Sequence, residues 1–485
     1  MSSSNNLQRS LVSGLFWVVL ANLIIKPFWI LDVDRGVQNA VGEVEYGLYF
    51  VVFNLAYIFN ILLDFGVTNF NTRNIAQHPH LIQKHLSGIL SIKFLLLGLY
   101  LIATLTTGLL LGYSSRQFHL LVWLSINQFL NSLIAYLRSN FEGLLLFRMD
   151  SLLSVLDRIL MILICGLMLW GYRGAFRIEW FVYAQTAAYL LTLTVAVIAL
   201  VRRTGLRRLH FSRPFTWAIL KKSAPFALLV LLMASYNRLD PVLLQRLLPD
   251  GTAQAGIYAG AFRLLDALTM LAYLVSVPLL PIYSKLTTNR SNHREIADIT
   301  RMVFSLMLVF SLTAAVCLSF WGYQWMDLMY QQHVYDSSAV FRILIWGIIP
   351  ISMTYIFGTL LTANGSLRQL NVLATLTLLI NIGVNLWLIP RLAAMGSAWA
   401  SLGAQSFIAI AQMVIAMRVF ALKPSPGFAL NLIFYIIVVL TAALLSLLLP
   451  LHWGWQCLCT ALVAVGYAIM LKLINIKELI QLIKQ

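Results

Sequence analysis

Charge is what this sequence has least of. Only 11% of its 485 residues are Asp, Glu, Lys or Arg, against roughly 25% in soluble domains. So few charges cannot cover a water-facing surface, which excludes a soluble globular protein. Acids are scarcer still, 17 against 34 basic residues. The four cysteines, Cys165, Cys317, Cys457 and Cys459, all stand within apolar runs. Cys457-Leu-Cys459 lacks the two-residue spacer of a redox pair, and no disulfide framework is implied; each reads as a buried, inert thiol. No G-x-x-x-x-G-K-[ST] loop occurs, so direct ATP drive is unsupported and no cofactor is expected. His78, His80 and His85 share one loop beside Pro79 without an acidic partner, which argues against a metal site. Heptad seams and ten-residue alternating segments are missing as well, excluding coiled coil and β-barrel.

What is there is apolar sequence, 60% of the chain with a mean hydropathy of +0.84. A membrane helix takes about 20 apolar residues to cross a core of roughly 30 Å. Fourteen such runs occur, at 10–32, 46–70, 87–112, 118–137, 151–171, 180–201, 223–248, 255–283, 301–322, 337–363, 371–389, 396–417, 429–449 and 452–475. The expected fold is an all-α polytopic membrane protein of about 14 transmembrane helices. Lys26-Pro27 interrupts the first run and no small-residue cleavage site follows, so it reads as a retained span rather than a signal peptide. Trp180, Trp321, Tyr323, Trp453 and Trp455 fall at span ends, where an interfacial aromatic belt accounts for them.

Charge asymmetry gives orientation. With both termini cytoplasmic, 22 of the 34 basic residues fall in cytoplasmic segments, six on the other side and six within spans. The opposite face collects acids, among them Asp32, Asp34, Glu43, Glu45 and Glu179. The net charge of +17 is therefore a topology signal that anionic headgroups reinforce; nucleic acid is not needed to explain it.

The longest polar connection runs from Val201 to Lys222 with five arginines and two lysines. It divides the chain into an N-terminal six-helix bundle (1–201), a basic linker (202–222), a C-terminal six-helix bundle (223–417) and two further spans with a short tail (418–485). Internal repetition supports that division. Gly47-Leu48-Tyr49 opens span two and Gly256-Ile257-Tyr258 opens span eight; Lys26-Pro27 and Asp240-Pro241 interrupt spans one and seven. Both pairs share a six-span period, so the bundles would be related by a pseudo-two-fold axis along the membrane normal, with two helices peripheral.

Several of these segments resemble a known family. Gly256-Ile257-Tyr258-Ala259, Phe262-Arg263-Leu264-Leu265 and Pro278-Leu279-Leu280-Pro281 are similar to the eighth-helix region of polysaccharide flippases, and so is Leu63-Asp64-Phe65-Gly66. Leu361-Thr362-Ala363-Asn364-Gly365, Asn381-Ile382-Gly383-Val384-Asn385, Ile389-Pro390 and Gly396-Ser397-Ala398-Trp399-Ala400-Ser401 resemble the tenth-to-twelfth-helix signature of the multidrug/oligosaccharidyl-lipid/polysaccharide (MOP) flippase superfamily, best its polysaccharide transport (Wzx-type) branch. The resemblance implies export of an undecaprenyl-diphosphate-linked glycan repeat (O-antigen, capsule or exopolysaccharide) across the bacterial inner membrane, beside glycan polymerase and other polysaccharide-assembly proteins. One departure stands out. The family is glycine-rich at the entry to the twelfth helix, whereas Leu392-Ala393-Ala394 stands here.

Charged side chains inside spans are functional candidates by default. The basic ones are Lys26, Lys93, Arg158, Arg238, Arg263 and Arg342, the acidic ones Asp64, Asp157, Asp240 and Asp266, a surplus of two positive charges. A cavity for a diphosphate-linked substrate would show such a surplus, with Lys26, Arg158, Arg238 and Arg263 as its cations. Arg263 and Asp266 also share a helix face as an ion pair would. Lys93 and Arg342 stand near span ends, where snorkelling is expected. Asp157 and Arg158 point about 100° apart and are not expected to pair. Asp64, Asp240 and Asp266 are candidates for coupling to Na⁺ or H⁺, Asp64 with Arg73 as an expected structural partner and Asp240 beside a proline-broken helix. Asn381 and Asn385, at i and i+4, read as polar helix-packing residues. A multidrug exporter and a lipid II-type flippase of the same superfamily are the transport alternatives. A glycan polymerase or ligase would need a long external loop with catalytic Arg or His, and none is present.

Overall fold

Peptide groups in hydrocarbon have no water to bond, so long apolar runs must satisfy them internally as helices. The computed structural model describes residues 25, 28–68, 71–72, 75, 82–144, 146–171, 176–204, 213–276, 279–287, 293–422, 426–471 and 473, and among them there is no strand. The chain folds as two compact units, Met1–Ala259 and Gly260–Gln485.

In the first unit a π-helical segment, Trp29–Asp34, leads into α1 (Arg35–Val41) and α2 (Glu43–Ile58), whose end tightens into a 3-10 turn at Phe59–Leu63. Then come α3 (Ile82–Leu110), α4 (Ser115–Gly143), α5 (Phe147–Gly166), α6 (Ile178–Thr204), α7 (Arg213–Arg238), α8 (Asp240–Leu247) and the first part of α9 (Gly251–Ser276). Ile89, Ile92 and Leu96 of α3 pack with Tyr136, Leu137 and Phe141 of α4, Leu153 of α5 and Ala196 and Leu200 of α6. Arg116 pins the starts of α2, α4 and α6 together. Its Nη2 lies 2.5 Å from Glu45 and its Nε donates to Glu179 at 2.7 Å.

The second unit continues α9 and adds α10 (Leu279–Thr287), α11 (His293–Phe320), α12 (Gly322–Met329), α13 (Val334–Leu344), α14 (Ile348–Ala363), α15 (Leu367–Val419), α16 (Pro426–Ser446) and α17 (Trp453–Met470). The last two form a hairpin whose Tyr435, Val439, Ala443, Ala464 and Ala468 pack on Val309, Leu312 and Val316 of α11.

Eleven helices among the described residues are long and apolar enough to cross a membrane, or twelve with the bent pair 224–238 and 240–247. One of them, α15, has 53 residues and would be about 80 Å long if straight, more than two hydrocarbon cores. It breaks at Ala393 (φ 49°, ψ −130°) and so supplies the expected spans eleven and twelve. Most of the first run, 10–32, lies outside the described residues. Leu110, Leu448 and Met470 expose more than 70% of their surface, which water would penalise and lipid does not.

Candidate functional site

The π-helical turn Trp29–Asp34 winds wider than an α-helix and shifts its side chains off the α register, a common device at functional sites. It buries Trp29 and Asp34 in the first unit. Asp34 accepts a hydrogen bond from the Tyr46 hydroxyl at 2.9 Å. The guanidinium carbon of Arg158 lies 5.7 Å from the Trp29 ring centroid, and its Nη1 donates to the Tyr189 hydroxyl at 3.4 Å. Its Nε is also 3.7 Å from Asp157 Oδ2, correcting the expectation that these neighbours stay apart. The 100° offset fixes where the Cβ atoms point, and a long arginine side chain folds back across it.

From Trp29 a ladder of rings runs through the unit. Trp29 stacks on Phe181 at 5.8 Å with the planes parallel. Phe181 meets Tyr49 edge-on at 5.2 Å. Tyr49 stacks with Phe53 at 5.8 Å, and Phe53 lies 6.0 Å from Tyr57. At the far end the Arg238 guanidinium carbon sits 5.0 Å from the Tyr57 centroid. Five rings thus join two of the expected cavity cations. Tyr49, Phe53 and Tyr57 recur every four residues and share one face of α2. That spacing is legible in the sequence; Trp29 and Phe181 come from other spans and carry no such signal. Around Tyr49 an amide network is satisfied internally. Gln185 donates to the Tyr49 hydroxyl at 2.9 Å, and Thr186 donates to Asn127 at 2.7 Å.

Arg238 ends α7, and the chain bends by 48° before α8. Pro241, at the start of α8, lacks the N–H that would continue the helix. Asp240 at this break is fully buried and accepts a hydrogen bond from the Tyr258 hydroxyl at 2.8 Å. The π-helical turn and the bent pair thus each bury a carboxylate against a tyrosine hydroxyl, Asp34 with Tyr46 and Asp240 with Tyr258.

The glycines of the sequence repeat meet. A Cβ on Gly47 would fall 1.9 Å from the Thr252 carbonyl oxygen, and one on Gly256 would fall 2.2 Å from that of Glu43. Each glycine faces the residue four positions before the other. Such reciprocity marks a local two-fold contact.

Asp64 does not belong to the ladder. Lys93 Nζ lies 2.5 Å from Asp64 Oδ1 and donates to Ser132 Oγ at 2.9 Å. Lys93 is completely buried, which corrects the snorkelling expectation: a carboxylate from another span offers the ammonium a better partner than the interface does. Arg73, the partner expected for Asp64, lies outside the described residues, as does Lys26. Arg342 is exposed.

Arg263 and Asp266 lie on the part of α9 that belongs to the second unit, both half-buried. Asn381 and Asn385, fully buried, both precede the break in α15. Asn385 donates to the Asn381 carbonyl at 2.9 Å and accepts from Ser397 Oγ across the break at 2.9 Å. A Cβ on Gly396 would come within 2.5 Å of the Leu388 carbonyl oxygen, so the two halves approach backbone to backbone. No metal-holding group of His, Cys, Asp or Glu occurs among the described residues.

A family model described as polysaccharide biosynthesis protein matches residues 11–287, and one described as MatE matches residues 225–387. No curated protein matches the sequence. Among solved structures the chain is similar to the lipid II flippase MurJ in an inward closed conformation, with TM-score 0.64 and 16% identity over 94% of this chain and 98% of that one. It is similar also to an inward-facing multidrug resistance MATE family transporter of the MOP superfamily, with TM-score 0.62 and 15% identity over 82% and 96% of the two chains. A third likeness is to a MOP superfamily transporter from Pyrococcus furiosus, with TM-score 0.53 and 16% identity over 86% and 96%. At these identities the likeness is one of fold.

Proposed function

The chain belongs to the polysaccharide biosynthesis protein family of the MOP superfamily, and we propose that this multi-pass membrane flippase moves an undecaprenyl-diphosphate-linked oligosaccharide repeat unit across the bacterial inner membrane. Transport proceeds by alternating access, with both termini cytoplasmic. The flipped unit passes to a glycan polymerase and the other proteins of polysaccharide assembly.

The observation that carries this reading is the aromatic ladder with Arg158 and Arg238 at its ends. A ring engages the face of a guanidinium, while its in-plane N–H donors are the groups that grip phosphate bidentately. The partly exposed rings of Phe53 and Tyr57, beside Arg238, suit the apolar faces of sugar rings. The diphosphate and glycan would cross within the protein while the polyprenyl chain stays in the bilayer. Lys26 and Arg263 are further candidate cations for the diphosphate, and Asp240 and Asp266 candidate carboxylates for Na⁺ or H⁺ coupling.

The MatE match over residues 225–387 favours a second reading, drug export. Cationic drugs would meet repulsion at Arg158 and Arg238, which weighs against it. A lipid II-type substrate presents the same diphosphate and is separated by assay rather than by charge. Arg158→Ala and Arg238→Ala should each abolish glycan export at normal membrane abundance. Wild-type export in both variants overturns the assignment, and drug efflux in its place would support the second reading.

A further inference from the structure

Gly88 begins the apolar part of α3, and Lys93 stands about 7.5 Å further along it. A lysine at that depth has the reach to put its ammonium at the interface. It turns inward instead, to a place assembled by three spans. Asp64 stands where the winding of α2 gives out: Phe59–Leu63 is a 3-10 turn, and Phe65 (φ 49°) and Gly66 (φ 80°) are left-handed. Thr68 donates to the same Asp64 oxygen through its hydroxyl. Ser132, on α4, donates to the Leu63 carbonyl oxygen at 3.2 Å. The ammonium thus has a carboxylate and a hydroxyl oxygen around it, beside a carbonyl freed by the break. Oxygen donors at an interrupted membrane helix are what a bound monovalent cation takes.

We propose that Lys93 is a tethered counter-cation. Its ammonium fills, from within the chain, the place a monovalent cation would take at the broken end of span two, so Asp64 exchanges no ion with solution. Asp64 then leaves the set of coupling carboxylates, and an ion that drives transport binds elsewhere. The inference goes beyond the transport reading and holds whatever the protein carries. Lys93 acts through Asp64 and the break, as a positioning residue.

The test is the thermal unfolding midpoint of the purified full-length protein in choline, sodium, potassium or methylammonium chloride at equal ionic strength. The wild type should unfold at one temperature in all four. Lys93→Met should unfold several degrees lower in choline and regain at least half of the loss, saturably, in sodium or methylammonium. Lys93→Met/Asp64→Asn, which loses both charges together, should show no cation response. A Lys93→Met midpoint that no small cation moves overturns the proposal. So does a wild-type sodium response that Asp64→Asn removes. Should Lys93→Met fail to accumulate, the double variant must accumulate; its failure too would show that charge compensation is not what Lys93 supplies.

Discussion

Replacing Gly47 by alanine adds one methyl group where α2 and α9 are already in backbone contact. The new Cβ would lie 1.9 Å from the Thr252 carbonyl oxygen and 2.7 Å from the Gly256 nitrogen. Restoring van der Waals separation requires the two helices to part by about 1.5 Å locally. Neither obstacle is a side chain that could swing aside. Backbone displacement by overpacking costs about 1–3 kcal/mol, and Gly256→Ala, whose Cβ would lie 2.2 Å from the Glu43 oxygen, should cost a similar amount. The informative variant is the double one. Once the first methyl has parted the helices, the second enters a gap that already exists. Gly47→Ala/Gly256→Ala should therefore cost about as much as either single change, leaving a coupling energy of about 1–3 kcal/mol. Chemical denaturation of the purified protein, read by tryptophan fluorescence, gives all four corners of the cycle. Neutral single variants, or losses that simply add, would refute the reciprocal contact.

Ala393 holds a left-handed conformation that glycine adopts without strain, so Ala393→Gly should stabilise the protein by about 1 kcal/mol; a loss in the same denaturation assay would contradict the strain. Ser397→Ala removes the hydrogen bond to Asn385 across that break and should cost about 0.6 kcal/mol, the usual worth of such a bond between membrane helices, with a cost near zero as the contrary result. Glu45→Gln leaves Arg116 with Glu179 at a partly exposed site, so its cost should stay below about 1 kcal/mol and shrink as salt is added; a larger, salt-independent loss would show the ion pair to be shielded from solvent.

The spans were legible because hydrocarbon leaves a long apolar run little choice but a helix. The register of the repeat was legible too, in Gly47-Leu48-Tyr49 and Gly256-Ile257-Tyr258. That the two glycines would oppose each other was not, since a repeat shows correspondence and carries no information about contact. The burial of Lys93 is hidden from the sequence for a related reason. Its place near the end of one helix suggested the interface, whereas the carboxylate that holds it stands 29 residues earlier on another element. The ladder combines both cases: Tyr49, Phe53 and Tyr57 declare a helical stripe, but Trp29 and Phe181 extend it only after three segments fold together. At Leu392-Ala393-Ala394, where the resemblance leads one to expect glycine, the positive φ falls on Ala393.

The central claim is that Arg158 and Arg238 hold the diphosphate of a lipid-linked glycan during its crossing. The most direct measurement is translocation of a fluorescent undecaprenyl-diphosphate oligosaccharide by the purified protein in liposomes, under imposed Na⁺, proton and voltage gradients. Gradient-dependent movement in the wild type, lost in Arg158→Ala and Arg238→Ala and not restored by Arg238→Lys, is the result expected of a stacked, bidentate phosphate contact. Undiminished movement in both alanine variants, or no movement of the glycan lipid alongside efflux of cationic drugs, would contradict it.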